Sequence, residues 1–173
     1  MKVRMSYCGK VALLALLLAG GFSVSPVAAF RLPDPVSKNL TNNGNGTVTC
    51  HDTGLMWEVK GGADTVNDAA GIYSWDQAGI FIAQLNAMRY AGFSDSRLPT
   101  ISELGYIADY SIGSPGPTID TGFFPNCRAG QYWSSTSYAA NNQMAWYFCF
   151  TDASRKYSGT TDRFHVRAVR EEK

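Results

Sequence analysis

Two helix-start signatures in the middle of this chain constrain its fold more than any other feature. Ser74 with Gln77, and Thr100 with Glu103, are capping boxes. In each, the hydroxyl accepts from an amide of the opening turn, and the side chain three residues on reaches back. After Ser74, Ala78, Phe81, Ile82, Leu85 and Met88 recur at helical spacing, and Gly92 is placed to end that helix. After Thr100, Ile101, Leu104, Ile107 and Ala108 supply a second apolar face. Residues 111–117 hold four Gly or Pro residues and must loop.

The flanks read as strands. Residues 46–59 predict a hairpin: Thr47 to Cys50 alternates, His51 to Gly54 is turn chemistry, and Leu55 to Trp57 resumes an apolar run. Residues 61–71 are a Gly-, Asp- and Asn-rich loop. Residues 132–138 predict a strand, and 144–150 another, apolar throughout and so expected to be central and covered on both faces. Residues 163–169 alternate, with Phe164, Val166 and Ala168 expected inward and Arg163, His165 and Arg167 outward. Strands, two helices, then strands predict an α+β fold, with two helices beside a small antiparallel sheet and a long loop region.

The chain opens with a basic start (Lys2, Arg4, Lys10), an apolar run over residues 11–21, a break at Ser25-Pro26, and small residues at Val27-Ala28-Ala29. That is the pattern of a signal peptide over residues 1–29. The apolar run is too short to span a bilayer, which takes about 20 residues. The expected location is therefore exported: periplasmic, cell surface or extracellular. Residues 30–45 read as an extended N-terminal arm, and 46–173 as one domain. The leader holds three of the 15 basic residues and none of the 14 acidic ones, so the remainder carries 12 against 14. Near-neutral charge argues against nucleic-acid binding. Cys50, Cys127 and Cys149 follow the leader, an odd count that leaves one thiol over. A Cys127–Cys149 disulfide is favoured, because adjacent strands would bring the two together. The alternative is three unpaired thiols. No Cys/His spacing suggests a metal site, and no cofactor is expected.

Several stretches, taken in order, resemble a known family: Gly46-Thr-Val-Thr, Thr53-Gly-Leu-Met-Trp57, Trp75-Asp-Gln-Ala78, Gly92-Phe-Ser-Asp, Arg97-Leu-Pro-Thr100, Phe123-Phe-Pro125, Tyr132-Trp-Ser-Ser135 and Val166-Arg-Ala-Val-Arg170. The family is DUF1566, the domain at the C-terminus of the Legionella collagen-like adhesin. The resemblance spans residues 46–170. It implies a C-type-lectin-like fold, a secreted or surface-attached protein, and recognition of a sulfated or other polysaccharide. Cys50 and Ser96 depart from its pattern, standing where Asp and Trp are usual. The calcium-binding triplets of animal sugar-binding lectins are absent from the sequence.

Read residue by residue, Trp57, Trp75, Trp133 and Trp146 are expected in the core. Arg97 is expected to tie a turn to a carboxylate or to carbonyls. Ser134 and Ser135 lack a nucleophile elbow and are expected to be strand hydroxyls. Residues 155–173 carry six basic and three acidic residues. Arg155, Lys156, Arg163 and Arg167 are therefore candidate polyanion contacts. Tyr138, Asn141 and Asn142 are candidate ligand contacts in a loop over 138–142, with a second recognition loop expected over 151–162. The function expected is that of an exported, non-enzymatic binding module for a polysaccharide, a polyanion or a surface protein. The rival readings are a self-associating surface or fibre subunit, which would be a homo-oligomer, and an enzyme.

Overall fold

The computed structural model describes residues 38–63 and 65–173. The expected signal peptide over residues 1–29, and residues 30–37 of the expected arm, lie outside the described residues. The elements run β1 (Leu40–Asn42), β2 (Thr47–Cys50), β3 (Leu55–Glu58), α1 (Trp75–Ala87), α2 (Ile101–Ile107), β4 (Gln131–Ser137), β5 (Met144–Cys149), β6 (Ser154–Gly159) and β7 (Val169–Glu171). The α+β class stands, with two helices and two small antiparallel sheets rather than one sheet. One has the order β1-β2-β3-β7 and the other β4-β5-β6.

The hairpin forms as its alternation predicts, with Val48 facing Trp57 and Cys50 facing Leu55. Its turn needs a residue at φ +64°, and Gly54 supplies it. The end of the N-terminal arm is more than a lead-in: Leu40 to Asn42 pair with Val48 to Cys50 as an edge strand.

Both capping boxes are made. Ser74 Oγ accepts from the Gln77 amide, and Gln77 Oε1 accepts from the Ser74 amide. Thr100 and Glu103 do the same for α2. The apolar stripe of α1 is buried at Ala78, Phe81, Ile82 and Leu85, but Met88 is exposed. The helix ends there and not at Gly92, because Asn86 turns the chain back. Its amide group exchanges two hydrogen bonds with the Ser96 backbone (2.8 and 2.9 Å), and Arg89 takes the left-handed conformation.

Sheet β4-β5-β6 separates two cores. Side chains alternate along a strand, so Trp133 and Ala145 pack toward α1, while Tyr132 and Phe148 pack toward α2 and the first sheet. β5 is central, as its apolar run predicts. The loop expected over 151–162 instead contains β6, which pairs with β5 from Met144–Gly159 to Cys149–Ser154. The strand expected over 163–169 is not one. Residues 164 and 165 make isolated bridges to Tyr73 and Tyr132, and pairing in a sheet begins only at Val169.

The expected Cys127–Cys149 disulfide is not formed: Cys50, Cys127 and Cys149 are all free and buried. Cys149 faces Gln131 in the ladder, and alternation sends its side chain to the same face as Tyr147. Cys127 belongs to the core on the other face, its sulfur 3.5 Å from the Tyr132 hydroxyl. The sheet therefore lies between the two sulfurs.

A charged group sits inside the fold. Glu58 and Lys60 form an ion pair of 2.9 Å with both side chains at most 3 % exposed. The second Glu58 oxygen accepts from the Ala168 amide at 2.7 Å. The Lys60 ammonium also lies 4.5 Å from the Phe81 ring centroid. Burial pulls the Lys60 ammonium below its ordinary range, with Glu58 acting against that shift.

Candidate functional site

Turn 138–143 joins β4 to β5. It is closed by Tyr138 N–H to Met144 O (2.9 Å) and Asn141 N–H to Tyr138 O (3.1 Å). Asn141 Oδ1 accepts from the Gln143 amide at 2.9 Å, which fixes the turn locally and leaves Asn141 and Asn142 exposed. β5 and β6 set Trp146 opposite Tyr157. Tyr138 completes a trio at one end of the sheet. Its ring stacks on Tyr157 with centroids 4.1 Å apart and planes 14° apart. Trp146 meets both tyrosines edge-on, at 5.9 Å from Tyr138 and 5.5 Å from Tyr157.

This trio differs from the other aromatic groups. Trp57 and Trp133 are buried, and Trp75 is half-buried with its indole N–H donating to Ser134 O. Trp146 is only half-buried, and Tyr157 is 45 % exposed. The Trp146 indole N–H meets no acceptor among the described residues. Stacked rings, two phenolic hydroxyls, a half-buried indole and two exposed asparagines thus share one end of the sheet. The sequence reading places Trp146 in the core. The missing signal is β6: once Tyr157 is on a strand beside β5, the Trp146–Tyr157 pair follows from register.

The basic candidates do not assemble into a stripe. Arg167 is fully buried; its Nη1 donates to Glu58 O at 2.6 Å, and its guanidinium lies 4.8 Å from the Phe124 ring centroid. The expectation that Arg167 faces outward is therefore corrected. The alternation of 163–168 is real, but both sides are interior: Val166 and Ala168 enter one core, and Arg167 lies against Phe124 and Tyr132 of the other. His165 is half-buried as well, bonded to Gly71 O at 3.0 Å, and burial lowers its pKa. Arg163 is exposed and donates to Ile72 O. Arg155 and Lys156 are consecutive on β6 and so face opposite sides. Lys156 pairs with Asp152 at 3.3 Å, and Arg155 lies on Gly105 of α2, where a Cβ would strike its guanidinium.

The remaining candidates have structural partners. Arg97 forks onto Glu103 at 2.8 and 2.9 Å and reaches Glu171 at 2.8 Å, so it ties turn, helix and last strand together. The Glu103 hydrogen bonds hold the guanidinium above its ordinary range. Ser134 donates to Trp146 O at 2.6 Å and Ser135 to Pro99 O at 3.3 Å. Among the described residues, no group of three or more His, Cys, Asp or Glu is placed to hold a metal ion. No described helix is long and apolar enough to cross a membrane.

The family model described as the Lcl C-terminal domain matches residues 46–170, which includes every element from β2 to α2, sheet β4-β5-β6 and the start of β7. No curated protein matches the chain.

Proposed function

This chain belongs to the family of the Lcl C-terminal domain, and from that premise we propose that it is a surface-associated, non-catalytic binding module for a saccharide chain. The observation that carries the reading is the half-open trio of stacked and edge-on rings, Tyr138, Trp146 and Tyr157. A pyranose ring has an apolar face of C–H bonds and a rim of hydroxyls. An aromatic ring that is apolar in body and polar at its tip matches both. The C-type-lectin-like architecture and export implied by the resemblance belong to the same proposal. So does the absence of catalysis, which the structural bonds of Ser134 and Ser135 support.

The trio favours stacking over charge attraction as the main source of affinity. Arg167 is buried, and Arg155, Lys156 and Arg163 point to different surroundings. The test is binding of the full chain to neutral and sulfated oligosaccharides on an array, followed by titration at two salt concentrations. Tyr157→Ala, which removes a partly exposed ring, is expected to weaken binding about tenfold, or about 1.4 kcal/mol, in a protein that stays folded by circular dichroism. Affinity that ignores Tyr157→Ala and Trp146→Phe refutes the site. Affinity that collapses with salt and with loss of Arg155 and Lys156 restores the polyanion reading.

A further inference from the structure

We infer that Asn45 is a modification site, at which the folded chain converts asparagine to aspartate and isoaspartate through a succinimide, while the neighbouring Asn43 is protected. This is independent of the saccharide site. The tip of hairpin β1–β2 reads Asn42-Asn43-Gly44-Asn45-Gly46, two Asn-Gly pairs in succession. A glycine after asparagine lacks the side chain that would hinder attack by its own amide nitrogen on the carboxamide before it. The fold treats the two pairs differently. Asn43 Nδ2 donates to Thr47 Oγ1 at 2.9 Å and to Thr49 Oγ1 at 3.0 Å, and the Gly44 amide donates to Asn42 Oδ1 at 2.9 Å. Both reacting groups of that pair are thus held in other bonds. In the second pair, the Gly46 amide meets no acceptor among the described residues, and Asn45 is exposed. Thr47 Oγ1 donates to Asn45 Oδ1 at 2.6 Å. That bond ties the carboxamide toward residue 47, the side on which the Gly46 nitrogen lies. It also polarises the carbonyl where negative charge develops during attack.

The step balances with water alone. The Gly46 nitrogen attacks Asn45 Cγ, a C–N bond closes the succinimide ring, and the side-chain nitrogen leaves as ammonia, carrying the proton that the Gly46 amide gives up. Water then adds to one of the two ring carbonyls and breaks its bond to nitrogen. Opening at one carbonyl gives aspartate and at the other isoaspartate. Nothing is oxidised or reduced.

The fold itself keeps the reactive pair in place. Gly46 has φ +90°, and a Cβ there would lie 2.6 Å from the Tyr90 hydroxyl oxygen, so position 46 requires glycine. Gly46 O accepts from the Val59 amide at 2.8 Å and from the Tyr90 hydroxyl at 3.0 Å, and Asn43 N–H to Thr47 O at 3.0 Å closes the tip. Isoaspartate lengthens the main chain by one carbon between residues 45 and 46, and these bonds cannot all span the longer chain. The element that yields is β1, the outer strand, whose pairing ends at Asn42 with Val48.

The test ages the full chain at neutral and mildly alkaline pH, locates the products by peptide mass spectrometry, and reads isoaspartate with a protein-isoaspartate methyltransferase. Asn45 is expected to convert at least about tenfold faster than Asn43. In unfolding urea the two pairs are expected to convert at similar rates, because nothing then shields Asn43. Thr47→Val keeps the shape, removes the hydroxyl and leaves Asn43 its bond to Thr49. It is expected to slow Asn45 severalfold in a protein that stays folded by circular dichroism. In the isoaspartate fraction, separated by its added charge, amide exchange is expected to quicken over residues 40–42 and to stay unchanged in sheet β4-β5-β6. Asn43 converting first or equally fast in folded chain overturns the proposal. So does a preference for Asn45 that persists in urea, because it would then belong to the sequence and not to the fold. An unchanged Asn45 rate in folded Thr47→Val overturns the role of the hydroxyl, and unchanged exchange over residues 40–42 overturns the loosening of β1.

Discussion

Replacing Glu58 with Gln removes the charge opposite Lys60 while keeping the shape and an acceptor for the Ala168 amide. The Lys60 ammonium is then left at 3 % exposure beside the Phe81 ring, with Arg167 as a further nearby cation. Breaking a buried pair on one side costs about 3–5 kcal/mol. Lys60 has one escape, to lose its proton. From an ordinary value of 10.5, neutralising it costs about 4.8 kcal/mol at pH 7 but only about 2 kcal/mol at pH 9. The sign follows from proton counting: the unfolded chain binds the Lys60 proton below 10.5 and the folded variant does not, so the variant gains stability as pH rises. Urea denaturation of both proteins between pH 7 and 9 is expected to show a gap near 4 kcal/mol that narrows by about 1.4 kcal/mol per pH unit, until the wild-type ammonium itself begins to titrate. Adding Lys60→Met to Glu58→Gln is expected to restore most of the loss. A gap below about 1 kcal/mol at pH 7, or one that neither varies with pH nor closes in the double variant, refutes the reading of a tight buried pair.

Two further outcomes are expected. Thr100→Ala removes the oxygen that caps α2 and is expected to lower stability by about 1 kcal/mol; an unchanged urea midpoint would assign the start of that helix to the Arg97–Glu103 fork instead. Burial, with Glu58 adding to it, pushes the Tyr90 hydroxyl up to about 12 from 10.0, so the folded chain holds that proton longer than the unfolded one. The associated stability is intact below pH 10 and lost as pH rises from 10 toward 12, and melting temperatures at pH 9 and 11.5 are expected to fall less in Tyr90→Phe than in wild type.

Features set by neighbours along the chain were legible in the sequence. The capping boxes need only residues three apart, and the hairpin only its alternation and turn. The central place of β5 followed from an apolar run that no exposed strand carries. Features set by distant contacts were not legible. β6 is Ser-Arg-Lys-Tyr-Ser-Gly, whose composition is that of a loop, and it becomes a strand because β5 offers it an edge. Arg167 reads as outward because a charge alternating with Val and Ala normally faces water. Here Glu58 O, Phe124 and Tyr132 take it inside. Met88 falls on the stripe of α1 but past the point where the Asn86–Ser96 bonds end the helix. The candidate site was half legible: Tyr138, Asn141 and Asn142 stand on it, while Trp146 and Tyr157 needed the strand register. Family membership carried over from the resemblance without correction.

The pairing of β7 with β3 also sets an order in time. Trp57 bonds in register with Val169, and Leu55 with Glu171, so nearly the whole domain separates the partners. Such a contact closes a long loop, and its entropy must be met before the contact returns anything. Sheet β4-β5-β6 and the two capped helices draw on nearer partners and can assemble earlier. A nascent chain, or one crossing a membrane N-terminus first, holds Trp57 long before it holds Val169. Until residues 169–171 arrive, β3 presents an unpaired edge, and the Arg97 fork lacks its bond to Glu171. Residues 169–171 are therefore the ones that complete the sheet that residues 40–58 begin.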